Sequence, residues 1–177
     1  MKSKYLFVLT ILLLSGFFAA WTYKEKIVLS LKANGYLEFT PDEAVTLAYT
    51  KCGTCHNIDK ITKYCFRCGP PFIVVVHNMK KLTTLERKKP GRESLPDFTD
   101  AEAAAITQVW NALIGNWEEG WRKEDIEKLM KGDDALIRLL HTSQSNRKIE
   151  QALYRKSIPG THKEGTFKPM STGFNTK

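Results

Sequence analysis

The chain has no internal repeat and no long low-complexity tract, so a repeat architecture is excluded. Only four of its 177 residues are cysteines, and all four lie in one short stretch, which confines any thiol chemistry to that stretch. Basic residues are absent between positions 93 and 120, although the whole chain carries a net charge of +8. Charge is therefore unevenly distributed, which indicates docking surfaces more than it indicates a fold.

An apolar run without any charged residue extends from residue 5 to residue 21, directly after two lysines. Its length suits a membrane-spanning helix, which needs roughly 17 to 25 residues, and also the apolar part of a signal peptide. Signal peptidase prefers small residues at alternate positions, whereas phenylalanine stands two places before Ala19. We therefore predict an uncleaved anchor over residues 1–23 that contacts membrane lipid and exports the rest of the chain.

The cysteines begin with Cys52-Gly53-Thr54-Cys55-His56, which has the Cys-x-x-Cys-His spacing of covalent haem attachment. Two thiols at this spacing can add to the two vinyl groups of a porphyrin, and the adjoining imidazole can ligate the iron. The motif thus predicts one covalently attached haem c, with Cys52 and Cys55 as attachment points and His56 as an iron ligand. Export supports this prediction, because zinc ribbons mostly occupy the reducing cytoplasm.

A second pair, Cys65 and Cys68, is followed by Gly69 instead of histidine and is a poor second haem site. In an oxidising compartment we expect these two cysteines to form a disulfide. The whole set also reads C-x2-C-x9-C-x2-C, so a four-cysteine zinc ribbon acting as a binding module is the alternative. A membrane-tethered thiol oxidoreductase is a third possibility, although neither pair sits in a thioredoxin-type strand-to-helix unit.

A helix is predicted immediately before the first cysteine pair. Thr40 can cap it, Pro41 suits its first position, and Asp42 and Glu43 complement the positive end of the helix dipole. A zinc ribbon normally places its first cysteine pair on a turn between strands. The capped helix therefore favours haem over zinc.

The segment after the cysteines offers two candidates for a sixth iron ligand. Its apolar run from Phe72 to Val76 is compatible with either a strand or a buried helix. His77 and Met79 follow, and in a helix residues two apart point about 200° away from each other. If the segment is helical, only one of them can face the iron. Without a role as ligand, Met79 would be a core residue and His77 a surface imidazole.

Further helices are predicted downstream. A loop and cap precede an amphipathic helix over residues 101–115. Residues 122–140 form an amphipathic pattern that we expect to break near Gly132, and Ile149 to Tyr154 adds a short helix. The chain beyond residue 156 is polar, with several glycines and prolines.

The order of these motifs resembles bacterial single-haem c-type cytochromes with a class I-like core. The resemblance rests on the Cys-x-x-Cys-His motif after a capped helix, then Phe72-x3-Val76-x2-Met79-Lys80, then Phe98-Thr99-Asp100-Ala101-Glu102 at the start of a terminal helix. Members of the family often show Trp-x3-Val-x-Arg-Met, so Phe72 replaces Trp and Asn78 replaces Arg. The resemblance covers residues 38–116 and implies that Met79 is the sixth iron ligand, with His77 as the alternative.

The fold expected from pattern and resemblance together is mainly α, with an N-terminal transmembrane helix, a small class I-like cytochrome c domain and a helical to extended C-terminal extension. The predicted organisation is an anchor over 1–23, a linker over 24–37, the haem c domain over 38–116, a helical extension over 117–156 and a flexible basic tail over 157–177.

The expected function is electron transfer, not catalysis, because both axial positions of the iron would be filled. We expect a single-pass protein of the bacterial inner membrane, with its haem domain on the periplasmic side, as a subunit of a respiratory or photosynthetic complex with redox protein partners. Basic residues between Lys80 and Arg92 would steer an acidic partner. Nucleic acid is not expected as a partner, because the basic tail lacks interleaved aromatic residues.

Overall fold

The computed structural model describes residue 16, residues 23–63 and residues 69–154. This part of the chain is mainly helical and contains no β-strand, which confirms the predicted fold class at that level. In chain order the α-helices are α1 over 23–33, α2 Pro41–Gly53, α3 Asp59–Thr62, α4 Phe72–Glu86, α5 Asp100–Ile114, α6 Lys123–Leu129, α7 Asp134–His141 and α8 Lys148–Tyr154. Short 3-10 helices occupy Glu118–Gly120 and Gln144–Asn146.

The predicted anchor lies almost wholly outside the described residues, and so does the predicted tail over residues 157–177. Within the described ranges, no helix has both the length and the apolar character needed to cross a membrane.

Helices α2 and α5 begin with the same local device, a capping box. At α2 the Glu43 amide donates to the Thr40 hydroxyl at 3.4 Å, and the Thr40 amide donates to the Glu43 carboxylate at 2.7 Å. At α5 the corresponding Glu102–Thr99 distances are 3.2 and 3.0 Å. Each box satisfies amides that the first turn of a helix leaves unpaired, so both predicted starts are confirmed.

The ambiguous run after residue 71 is helical, and it forms the first turns of α4. Phe72, Ile73, Val74 and Val76 are buried there. The Phe72 ring lies 6.2 Å from the Trp110 ring of α5, centroid to centroid. Burial on nearly all sides explains why this segment shows no alternation of apolar and polar residues.

Helix α5 lies at the centre of the molecule, where it contacts α2, α4, α7 and α8. Ile106, Val109 and Trp110 on this helix are fully buried. The same continuous core includes residues from the predicted extension, among them Ile126 and Leu136. Packing therefore continues without a break across the domain boundary predicted at residue 116.

Two connections depend on glycines with positive φ. Gly35 (φ 79°) follows the end of α1. Its amide donates to the Lys32 carbonyl at 2.9 Å, and the Tyr36 amide donates to the Leu31 carbonyl at 2.9 Å. These two hydrogen bonds form a Schellman motif. Helix α1 replaces part of the linker predicted over 24–37. Gly132 (φ 87°) separates α6 from α7, as predicted.

Candidate cofactor site

The Cys-x-x-Cys-His motif lies at the end of α2. Cys52 is in the last turn of the helix and is half-buried, whereas Cys55 follows the helix and is exposed; both are free thiols. The Thr54 hydroxyl donates to the Thr50 carbonyl at 2.9 Å, which closes the helix end between the two cysteines. Sequence therefore places both thiols at one end of a well-capped helix.

A cavity of about 320 Å³ opens at this helix end, and it brings together predicted site residues from separate elements. Cys52, Cys55 and His56 line it from the α2 end, and Met79 lines it from α4. The other lining residues are Lys51, Lys60, Ile61, Phe72, Val75, Val76, Thr83, Phe98 and Ile106. Most of these are apolar, so the cavity is suited to a large apolar group that carries a few polar contacts.

His56 is oriented by the backbone that follows it. Its Nδ1 lies 3.2 Å from the Asn57 carbonyl oxygen, the distance of a hydrogen bond. Nδ1 is then the donor, and Nε2 remains the nitrogen with a lone pair. A carbonyl acceptor on the second ring nitrogen is the usual support of a metal-ligating histidine.

His77 and Met79 face different surroundings. Met79 is 37% exposed at the cavity, whereas His77 is 3% exposed and is not a lining residue of the cavity. His77 Nδ1 lies 3.0 Å from the Asp133 carboxylate, and its Nε2 has no hydrogen-bond partner. The interpretation of His77 as a surface imidazole is therefore wrong, and the structure does not bring this residue to the cysteines.

Burial raises the pKa of the Cys52 thiol to about 11, with a smaller opposing effect from the Trp110 indole and a further rise from Cys55. Trp110 Nε1 lies close enough to exert this effect but completes no hydrogen bond. Cys52 is therefore a protonated thiol at neutral pH. A thiol oxidoreductase needs a thiolate, so this environment does not favour that third interpretation.

An aromatic pair lies beneath the motif. Tyr49 and Trp110 stack with centroids 5.1 Å apart and a 37° angle between their ring planes. Burial raises the pKa of Tyr49 to about 12, so its phenol stays neutral. Trp110 lies on the helix predicted over residues 101–115, but the sequence analysis missed Tyr49. The position of Tyr49, three residues before Cys52 on the same helix face, would have indicated it.

Two lysines at the cavity were also missed. Lys51 and Lys60 line it, and Lys51 is held in place by the Glu102 carboxylate at 2.8 Å and by the Asp97 carbonyl. Its ammonium lies 5.6 Å from the centre of the Phe98 ring. The available signal in the sequence was position: Lys51 directly precedes Cys52, and Lys60 follows His56 by four residues.

The second cysteine pair, Cys65 and Cys68, lies outside the described residues. The predicted disulfide and the four-thiolate zinc site therefore stay predictions. Across residues 23–63 and 69–154 there is no group of three or more histidine, cysteine, aspartate or glutamate side chains arranged to hold a metal ion.

The predicted basic surface is largely neutralised by neighbouring acids. Its six members are Lys80, Lys81, Arg87, Lys88, Lys89 and Arg92. Four of them form ion pairs, and in the described structure Lys81 and Lys88 have none. The pairs are Lys80–Asp100, Lys80–Asp133, Arg87–Asp97, Lys89–Glu86 and Arg92–Glu86. The surface therefore attracts an acidic partner less strongly than the sequence suggests.

None of the protein-family models, curated proteins or solved structures compared with this chain gives a significant match.

Proposed function

We propose that this chain is a single-haem c-type cytochrome with a class I-like core that transfers electrons. The supporting observation is the shared cavity of Cys52, Cys55, His56 and Met79. Motif spacing and resemblance in the sequence point to the same four residues. Folding places all four around one mostly apolar cavity.

The donor set at the cavity fits a covalently held haem. Cys52 and Cys55 would hold the porphyrin through two thioethers, each thiol sulfur joined to one vinyl carbon and its proton to the other. His56 Nε2 has the free lone pair for the iron, and the Met79 thioether offers a second, neutral ligand from α4. When bound, the haem iron supplies one-electron chemistry by cycling between its ferric and ferrous states.

The protein's own side chains account for the expected lack of catalysis. If His56 and Met79 both hold the iron, they would leave no position at it for a substrate. The apolar wall formed by Phe72, Val76 and Ile106 would exclude water from a bound cofactor. A neutral thioether ligand and an apolar wall both favour the reduced iron, which suits a carrier of relatively high potential.

The docking surface for a redox partner is proposed to surround the exposed end of Met79. Leu82 and Leu85 on α4 are 49% and 60% exposed, and Lys81 and Lys88 lie on the same helix and its end. An exposed apolar patch beside a few free cations is typical of transient protein interfaces. We further propose that the protein is anchored in the bacterial inner membrane as a subunit of a respiratory or photosynthetic complex, with this surface on the outer side.

Covalent haem attachment tests the proposal directly. The full chain is produced in a bacterium that carries a cytochrome c maturation system, denatured, and examined by mass spectrometry and by its reduced spectrum in alkaline pyridine. We expect the native chain to retain one haem after denaturation and Cys52→Ser/Cys55→Ser to retain none. A native chain that is colourless, with the mass of the polypeptide alone or with zinc, contradicts the proposal.

The sixth ligand is tested on the same material. The oxidised protein should show the weak far-red band of sulfur-to-iron ligation. Met79→Leu, which keeps the apolar volume, should abolish that band. His77→Gln leaves the sulfur donor in place and should retain it; absence of the band from the native oxidised protein, or its persistence in Met79→Leu, contradicts Met79 ligation.

A further inference from the structure

Asp133 is a buried carboxylate in the turn between α6 and α7, and it is 4% exposed. One oxygen, Oδ1, accepts a hydrogen bond from the backbone amide of Leu136 at 3.4 Å and so caps α7. The other, Oδ2, lies 3.0 Å from His77 Nδ1 and 3.3 Å from Lys80 Nζ. One side chain therefore connects the start of α7 to two residues of α4.

The carboxylate is ionised in this position. Burial opposes its charge, but the hydrogen bond from His77 and the charge of Lys80 outweigh burial and hold the pKa of Asp133 below its usual range. Hydrogen bonds to an ionised group are stronger than neutral ones. The contacts of Asp133 with His77 and Lys80 therefore help to fix α4 relative to α7.

These contacts restrain the rotation of α4 about its axis. His77 and Lys80 are three residues apart and lie on one face of the helix. Met79 lies about 200° from His77 around the helix and therefore points away from Asp133, toward the cavity. If the His77–Lys80 face were released, the direction of Met79 would no longer be restrained from that side.

The part of α4 that carries Met79 has little other support. The first turns of the helix are buried in the core, but Met79, Leu82 and Leu85 are all exposed. Thr83 is the buried residue of this half. The ion pairs of Lys80 with Asp133 and Asp100 are therefore the restraints nearest to the ligand-bearing turn, and the Arg87–Asp97 pair holds the end of the helix.

We propose that Asp133 is a positioning residue that keeps Met79 directed at the cofactor cavity. This inference rests on the proposed function. It gives the segment beyond residue 116 a role, since a residue of that segment supports an iron ligand supplied by the haem domain.

The experiment measures how readily added imidazole displaces Met79 in the oxidised holoprotein, followed through the loss of the far-red sulfur-to-iron band. Asp133→Asn keeps an N-capping side chain at α7 but removes the charge that holds His77 and Lys80. Asp134→Asn is the matched control, because Asp134 is the adjacent exposed residue. Far-UV circular dichroism at each imidazole concentration checks that the fold is retained.

We expect imidazole to bind Asp133→Asn about ten-fold more tightly than the native protein, the order of magnitude for losing a hydrogen bond to a charged group. Asp134→Asn should stay within about two-fold of the native value, as is usual for a surface substitution. Equal imidazole affinity in all three proteins overturns the positioning role. If Asp133→Asn does not fold, Lys80→Met provides the same comparison, and native affinity in that variant overturns the role.

The possible failures are distinguishable. A native chain without covalent haem contradicts the proposed function and this inference together. A native chain with haem but without the sulfur-to-iron band contradicts Met79 ligation and therefore the positioning role. Haem, the band and unchanged imidazole affinity in Asp133→Asn leave the proposed function intact and overturn the positioning role alone.

Discussion

Glu150 on α8 should make the stability of this protein depend on pH near neutrality. It is 8% exposed and shares the guanidinium of Arg147 with Glu118. Glu118 takes two close contacts with Arg147, at 3.0 and 2.6 Å, whereas Glu150 lies 3.5 Å away. Asn116 adds a hydrogen bond to Glu150 at 3.3 Å. Glu150 is therefore the less well compensated of two buried carboxylates.

The magnitude follows from the pKa of this group. Burial raises the pKa of Glu150 from 4.5 to about 7, although Arg147 and Asn116 oppose the rise. The folded state thus holds its proton more tightly than the unfolded state. Its contribution to stability is complete below about pH 4.5 and is lost as the pH rises through about 7. At about 1.4 kcal/mol per pKa unit, the full effect is roughly 3 kcal/mol.

The assay compares urea unfolding of the native protein and Glu150→Gln at pH 5 and pH 8, followed by far-UV circular dichroism. Glutamine has no proton to lose, so the native protein should lose roughly 2 to 3 kcal/mol more stability than the variant between these two pH values. All other titrating groups are common to both proteins. Glu119→Gln, at an exposed neighbouring position, should behave like the native protein. Parallel pH dependence in the native protein and Glu150→Gln refutes the reasoning.

Two further predictions concern stability and are measured by urea unfolding at pH 7. Arg147→Ala should lower the free energy of unfolding by about 3 to 5 kcal/mol, because it leaves buried carboxylates without their cation. Arg138→Ala, at an exposed position, should lower it by less than about 0.5 kcal/mol. Equal losses of stability in the two variants would contradict the argument. Thr99→Ala should cost about 1 kcal/mol by removing the cap of α5. Thr84→Ala, at an exposed position inside α4, should have a smaller effect, and the reverse order would show that the capping box is not what stabilises the helix start.

The starts of α2 and α5 were predictable because their signals are local. In each case a threonine cap and a glutamate three residues later exchange hydrogen bonds within a single turn. The break near Gly132 was predictable for a related reason, since glycine adopts positive φ without strain. The Schellman motif at Gly35 was also local, and the Asn34-Gly35 pair was a signal that went unused.

Other features depend on residues far apart in the sequence. The burial of His77 depends on Asp133, which lies 56 positions later in the chain. The ion pairs of the basic surface likewise join α4 to the loop before α5 and to the turn before α7. No period or local spacing encodes such contacts, so the sequence left His77 open as an alternative iron ligand or a surface imidazole, and it placed Lys80 and Arg87 on a basic docking surface.

The amino-acid sequence by itself determined the chemistry available at the site, because two thiols and an imidazole within five residues allow few arrangements. It also determined where the flanking helices begin, because caps act over a single turn. Only the tertiary structure decided that Phe72 to Val76 is helical, and that Met79 instead of His77 faces the cysteines. The physical reason is that the rotation of α4 is set by its packing on α5 and by its contacts with Asp133, and neither is visible within α4 itself.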